Sequence, residues 1–266
     1  MHLLVSVTSA VDAAAALAGG ADLVDAKDPA AGALGAVSIE QFRRIVAAVA
    51  GARPVTAALG DAADEPAVEQ TARAFAGLGA SFVKIGFAGI DSADRIASLI
   101  AAAVRGVKIG DATVFRKVAQ GFSPAFAFAG LKSCATSTHL VAVAYADADR
   151  AGSISPLRLV DVAARAGATG VLLDTFDKQQ GGLRELVAWR ALADWVAAAH
   201  DTGLFVAIAG KLTASDLPYV RDAGADIAGV RGAACDGGRT GCVTADRVRA
   251  LRHACDGIAV VDIGAV

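Results

Sequence analysis

Lysine is scarce in this chain. Of 266 residues 25 are basic, and by count only 7 of these are lysine, leaving 18 arginines. If surface cations are arginine by habit, each lysine needs a reason. An excess of positive charge is also missing. The 27 acidic residues leave a formal charge of −2, which gives no basic field for holding nucleic acid. Long apolar runs are absent too. The longest charge-free interior stretch, Val118 to Leu131, contains Gly121 and Pro124, whereas a membrane span needs roughly 18 or more apolar residues. No basic segment precedes the apolar start, because the first charged side chain is Asp12, so a secretory signal is not expected. Cys134, Cys235, Cys242 and Cys255 form no C-x-x-C pair and have no histidine cluster beside them. They read as reduced thiols in a core, not as zinc ligands or disulfides. His2, His139, His200 and His253 share no spacing and read as structural. These absences point to a cytoplasmic protein with no nucleic-acid or membrane partner.

What is present is a hydrophobic fraction of 55%, enough for a packed core. Near-continuous apolar runs of strand length lie at Leu3–Val7, Leu23–Ala26, Val55–Leu59, Phe82–Gly86, Leu140–Ala144, Gly170–Leu173, Phe205–Ala209 and Ile227–Val230. Such runs suit parallel strands buried on both faces. Helix-like stretches separate them, among them Ile39–Ala50, Pro66–Leu78, Ala93–Val104, Arg184–His200 and Thr244–His253. Ser38 with Gln41 has capping-box spacing and Pro66 suits a first turn. Gly-Ala-Asp or a variant recurs at Gly20, Gly79, Gly167 and Gly224, where a helix should end and a strand begin. Eight β-then-α units without a composition break predict one α/β domain over residues 1–266, a (β/α)₈ TIM barrel. A doubly wound open sheet is the competing architecture. One interval is too long. Phe82 to Leu140 spans 58 positions against about 20 to 35 elsewhere, so an insertion with some helix of its own is expected over about 107–137. It carries Phe115, Phe122, Phe126 and Phe128.

Position gives the lysines meaning. Lys108, Lys117 and Lys132 fall in the expected insertion and should face solvent. Lys27, Lys84, Lys178 and Lys211 lie in or just after strands 2, 4, 6 and 7, whose carboxyl ends converge on the active-site mouth of such a barrel. A solvated loop residue is an equally good reading of Lys211. Lys84 lies inside Phe82-Val83-Lys84-Ile85-Gly86, where burial is costly unless a carboxylate pairs with the amine or its pKa falls. A lysine with a depressed pKa is a nucleophile toward carbonyl groups and forms a Schiff base. Asp25 lies two residues before Lys27, on the same side of the strand, and Asp61, Asp147 and Asp174 end strands 3, 5 and 6. Amines among carboxylates fit carbonyl chemistry with proton shuttling. Small residues close the last two strands, Gly210 in one loop and Arg231-Gly232-Ala233 in the other, and let backbone N–H groups approach a phosphate.

These residues resemble a known family. Asp25-Ala26-Lys27-Asp28-Pro29-Ala30-Ala31-Gly32-Ala33-Leu34-Gly35-Ala36 is similar to the signature of (5-formylfuran-3-yl)methyl phosphate synthases. The likeness continues through Gly60-Asp61, Val83-Lys84-Ile85-Gly86, Tyr145-Ala146-Asp147-Ala148, Leu173-Asp174-Thr175 with Lys178, Ala209-Gly210 and Val230 to Cys235. It covers nearly the whole chain, apart from the expected insertion and the residues after about Asp256. The resemblance implies a class I aldolase-like lyase needing no metal or organic cofactor, and a homo-oligomer. It implies condensation of two glyceraldehyde 3-phosphate molecules, one first isomerised to dihydroxyacetone phosphate. Loss of phosphate and water then gives (5-formylfuran-3-yl)methyl phosphate for methanofuran-type one-carbon carriers. It makes Lys27 the Schiff-base amine, Lys84 and Lys178 further catalytic lysines, and Asp25, Asp147 and Asp174 the carboxylates that position them or move protons. The residues alone do not rank Lys27 above Lys84. They also leave open a different class I aldolase, a thiazole-synthase-like barrel, or a non-catalytic binding barrel.

Overall fold

The computed structural model describes residues 1–118 and 137–257. Eight strands close into one parallel barrel in sequence order. They are β1 (His2–Val7), β2 (Leu23–Ala26), β3 (Val55–Asp61), β4 (Phe82–Gly86), β5 (His139–Tyr145), β6 (Gly170–Asp174), β7 (Phe205–Ile208) and β8 (Ile227–Val230). The expected strands therefore all form, and the open-sheet alternative falls because β8 pairs back onto β1. Around them run α1 (Ala10–Ala18), α2 (Ile39–Val49), α3 (Glu65–Ala76), α4 (Ala93–Val118), α5 (Ala148–Ala151), α6 (Pro156–Ala166), α7 (Leu183–Leu186), α8 (Trp189–Asp201), α9 (Leu217–Asp222) and α10 (Ala245–Asp256). A small antiparallel hairpin, β9 (Cys235–Asp236) and β10 (Cys242–Val243), follows β8.

Local signals set the helix starts. Ser38 accepts a hydrogen bond from the Gln41 N–H at the start of α2, and Asp64 does the same for Ala67 in α3, with proline in its first turn, so orphan donors are satisfied. Inward-facing Leu4, Leu23, Phe82, Val141, Leu172 and Phe205 fill the barrel interior. The opposite strand faces pack on the helices in a second, larger apolar shell. Burial on both faces is why these strands read as continuous apolar runs.

Two expected elements differ. The helix expected over Arg184–His200 is split, because Val187 is extended (φ −127°, ψ 120°) and its carbonyl accepts from the Tyr219 hydroxyl at 2.6 Å. In addition, α4 runs on to Val118, so residues 107–118 continue a barrel helix instead of opening a separate insertion. Asp111 on this extension accepts from the N–H (2.9 Å) and hydroxyl (2.7 Å) of Thr138 just before β5. Residues 119–136, with Phe122, Phe126, Phe128, Lys132 and Cys134, lie outside the described residues, as do the side chains of Phe115 and Lys117. Lys108 is exposed, as expected. No helix among the described residues is long and apolar enough to cross a membrane.

Candidate active site

Parallel pairing places Ser6, Asp25 and Thr56 side by side on β1, β2 and β3. Asp25 is buried there and accepts from the Ser6 hydroxyl at 2.9 Å and the Thr56 hydroxyl at 2.6 Å. Its third partner is the Lys84 amine of β4, 2.5 Å from Oδ1. Sequence reasoning missed Ser6 and Thr56, although each is a lone hydroxyl in an otherwise apolar strand. The signal was present in Leu3-Leu4-Val5-Ser6-Val7 and Val55-Thr56-Ala57.

Asp174 ends β6 and forms the second node. Its Oδ1 accepts from the Lys178 amine at 2.6 Å and from the Thr175 N–H at 2.8 Å. Lys178 also reaches the Thr175 hydroxyl at 3.0 Å. The Lys27 amine stands 3.7 Å from Asp174 Oδ2, beyond hydrogen-bond distance. Lys84 and Lys178 are thus hydrogen-bonded to carboxylates, whereas no hydrogen-bond acceptor engages Lys27 Nζ among the described residues.

Electrostatics follow from this packing. Burial, reinforced by the nearby Lys27 ammonium, holds the Lys84 amine below the ordinary lysine value, although Asp25 pulls the other way. Burial likewise lowers Lys178, with Asp174 opposing and Lys27 adding to the shift. For Asp25 and Asp174, burial by itself would raise the pKa, but facing ammonium groups outweigh it and hold both below the usual aspartate value. The site therefore keeps both carboxylates ionised beside two amines that give up a proton more readily than free lysine.

These groups line a cavity of about 440 Å³ that reaches from the rim down to Leu4, Leu172 and Ile227. It deepens on the β7–β8 side, where the lining residues Ala207, Ala209 and Gly229 are small. On the β3–β5 side the mouth is filled. Tyr145 donates to Asp61 at 2.6 Å, and burial followed by the Asp61 charge pushes its phenol pKa upward. With Leu34 these groups crowd Gly86, where a Cβ would lie 2.3 Å from Asp61 Oδ1 and 2.6 Å from Leu34 Cδ1. The loop supplying Leu34 is closed by the Asp28 N–H donating to the Gly35 carbonyl at 2.9 Å. A Cβ at Gly35 would stand 2.1 Å from the Asp28 carbonyl oxygen, so this turn requires glycine.

Not every expected residue reaches the amines. Asp147 accepts backbone N–H groups from Phe176 (2.7 Å) and Asp177 (2.8 Å), and among the described residues it pairs with no lysine. It shapes the loop that carries Lys178. Gly210, Gly232 and Ala233 line the cavity as expected. Arg231 lines it too, but its guanidinium is already engaged within the protein. Its guanidinium donates to Asp12 and the Ser6 carbonyl at 2.9 Å each, and to the carbonyls of Gly241 (2.7 Å) and Arg239 (3.1 Å). The reason is Asp12, a buried carboxylate on α1 that also accepts the Val243 N–H at 3.0 Å. This clasp fixes the β9–β10 hairpin, which brings Arg239 to the rim of the cavity. Local sequence, Asp236-Gly237-Gly238-Arg239, does not distinguish a site loop from a plain turn, so Arg239 is placed at the site by the structure alone. Lys211 lines the rim as well. Among the described residues no group of three or more His, Cys, Asp or Glu side chains could hold a metal ion.

A closed parallel barrel with amines and carboxylates interleaved at its carboxyl-terminal mouth is a (β/α)₈-barrel enzyme. The solved structures it resembles share that fold. Phosphoribosyl anthranilate isomerase from Thermus thermophilus superimposes with a TM-score of 0.60 at 14% identity, over 97% of this chain and 100% of that one. Thiamine phosphate pyrophosphorylase from Pyrococcus furiosus gives 0.57 at 12% identity, over 96% and 95%. The chain belongs to the 4-HFC-P synthase family, whose model matches residues 3–252. It is 34% identical to the (5-formylfuran-3-yl)methyl phosphate synthase of Methanopyrus kandleri over 95% of this chain and 98% of the relative. The enzyme of that name from Methanosarcina barkeri is 36% identical, over 96% and 99%.

Proposed function

We infer that this chain is a Schiff-base lyase that condenses two molecules of glyceraldehyde 3-phosphate to (5-formylfuran-3-yl)methyl phosphate, with loss of phosphate and water, for methanofuran-type cofactor synthesis. The observation that carries this reading is the contrast among the three amines. Lys84 and Lys178 are held by carboxylates at 2.5 and 2.6 Å, whereas Lys27 stands off at 3.7 Å. A close carboxylate favours the protonated, non-nucleophilic form of an amine and pins it in place, and Lys27 is the least tightly paired of the three.

In this scheme the Lys27 amine adds to the carbonyl carbon of a triose phosphate and water leaves, giving an imine. The imine draws electrons from the neighbouring carbon, so a proton there can be removed. The resulting enamine attacks the aldehyde carbon of a second triose phosphate, forming the carbon–carbon bond. Water then hydrolyses the imine to free Lys27, and the six-carbon adduct loses phosphate and water, two waters net, as the furan ring closes. Lys84 and Lys178, whose amines are easier to deprotonate than free lysine, carry protons to and from these atoms, with Asp25 and Asp174 stabilising the charged forms. Asp147 serves this chemistry from a distance, by setting the Lys178 loop. The backbone turns at Gly210 and Gly232–Ala233 receive a phosphate.

Borohydride added with dihydroxyacetone phosphate reduces the imine to a stable adduct. Mass spectrometry should place it on the peptide containing Lys27, and Lys27→Ala should lose both the adduct and furan formation from glyceraldehyde 3-phosphate. Full furan-forming activity in Lys27→Ala would end this assignment. A product of another mass from other phosphorylated carbonyls would instead indicate a different class I aldolase.

A further inference from the structure

The charges around the cavity do not balance. Lys27, Lys84, Lys178, Lys211 and Arg239 face it, against only Asp25 and Asp174, since Arg231 is matched by Asp12 at 2.9 Å. With every amine protonated, that is a formal excess of three positive charges among the described residues, in a chain whose formal charge is −2. A phosphate monoester carries about −1.5 to −2 at neutral pH. One phosphate therefore leaves the mouth positive, and two come close to neutralising it.

A second depression of about 560 Å³ opens beside the first. The two share Lys178 and Arg239, which stand between them. The outer depression is walled by Pro29 and Gly32 of the β2 loop on one side and by Phe176, Asp177 and Arg150 on the other. Arg239 is half-buried and pairs with no carboxylate among the described residues; it donates to the Gly32 carbonyl at 2.7 Å. A guanidinium partly removed from water without a counter-charge is poised for an anion, and its planar fork suits phosphate oxygens. Arg150 is exposed and paired at 3.0 Å with Asp177, which lines the depression too. Among the described residues, therefore, Arg239 is the cation of this wall without a carboxylate partner, and Arg150 is a donor already oriented by one.

We propose that the outer depression is a second phosphate subsite, in which Arg239 and Arg150 hold the phosphate of the second triose phosphate while the first lies in the inner cavity. This rests on the two-substrate reading above. It places the two phosphates on opposite sides of the Lys178–Arg239 divide, so that the two carbonyl carbons meet near the amines. Of the two arginines, Arg150 belongs to the outer subsite alone.

Glycerol 3-phosphate tests the subsite without turnover, because it has the phosphate but no carbonyl to react. Titration by calorimetry and ³¹P NMR should show two molecules bound per chain. Arg150→Gln should weaken one of the two sites about tenfold or more, as expected when a charged hydrogen bond is lost, and leave the other unchanged. Ala30→Glu, which sets a carboxylate in the outer wall while removing no contact, should do the same. Retention of the inner site shows that both variants are folded. A single bound molecule in the unaltered protein, or two unchanged sites in both variants, would overturn the proposal. Two sites in a protein that forms no furan from glyceraldehyde 3-phosphate would uphold the subsite and defeat the synthase reading.

Discussion

At the scale of single residues, the site is built on two buried aspartates. Each is held ionised by amines although burial opposes it, and this makes a testable statement about pH. Their folded pKa values lie below the ordinary aspartate value of about 3.9. The stability they contribute is therefore complete above about pH 4 and is lost as pH falls through the depressed folded values. Asp25→Asn cannot take up that proton, so its unfolding free energy should be lower at neutral pH and should fall less steeply below about pH 4. Urea titrations across the acid range check this, and an acid limb as steep as that of the unaltered protein would contradict it. Much of this arrangement was legible beforehand. An ammonium in Phe82-Val83-Lys84-Ile85-Gly86 demands a partner, and Asp25 sits at the matching level. What stayed hidden was the ranking of the amines, because it depends on the difference between 2.5 and 3.7 Å. Nor does local sequence show that Arg231 is consumed by Asp12, a residue 219 positions away.

At the scale of elements, the strands were readable because burial on both faces leaves a run of apolar residues with little else to mean. The helix ends were less so. The break at Val187 depends on a hydroxyl from Tyr219, which no local pattern announces. The length of α4 depends on its contact with α3. Gly106 brings α4 against α3 so closely that a Cβ would stand 2.2 Å from the Glu69 carbonyl oxygen, and at Gly110 it would stand 2.6 Å from that of Arg73. Backbone cannot yield there as a side-chain tip can. Gly106→Ala should therefore destabilise the fold by about 1–3 kcal/mol, the usual cost of overpacking, measured as a lower urea midpoint. The Lys27 adduct proposed above should form in the folded variant as in the unaltered protein, because the contact lies outside the barrel mouth. An unchanged midpoint would mean that the two helices separate at little cost.

At the scale of the whole molecule, charge is unevenly spread. The chain is slightly acidic, yet the mouth gathers cations that its carboxylates do not match. Such a focus draws anions inward, and salt weakens it, since charges are screened over about 8 Å at physiological ionic strength. On the proposed reading, kcat/KM for triose phosphate should fall as potassium chloride is raised from about 0.02 to 0.5 M, through KM more than kcat. A salt-independent KM would show that the excess charge has no part in capture. This distribution was only half visible in the sequence. Lysine scarcity singles out the strand ends, but Arg239 arrives through a hairpin fixed by Arg231, and composition gives no hint of that route.

The clasp of Asp12 with Arg231 has a further consequence in time. It closes the ring between the first strand and the last, across a separation of 219 positions. Chains are synthesised from the amino end at about 5–20 residues per second, so Asp12 leads Arg231 by roughly ten to forty seconds. Within that interval Lys27, Lys84 and finally Lys178 are added in turn, while β1 lacks one neighbour and Asp12 lacks its arginine. The amines are made early and the ring that encloses them is completed last, so a chain interrupted before Arg231 carries the reactive groups without the enclosure that sets their distances.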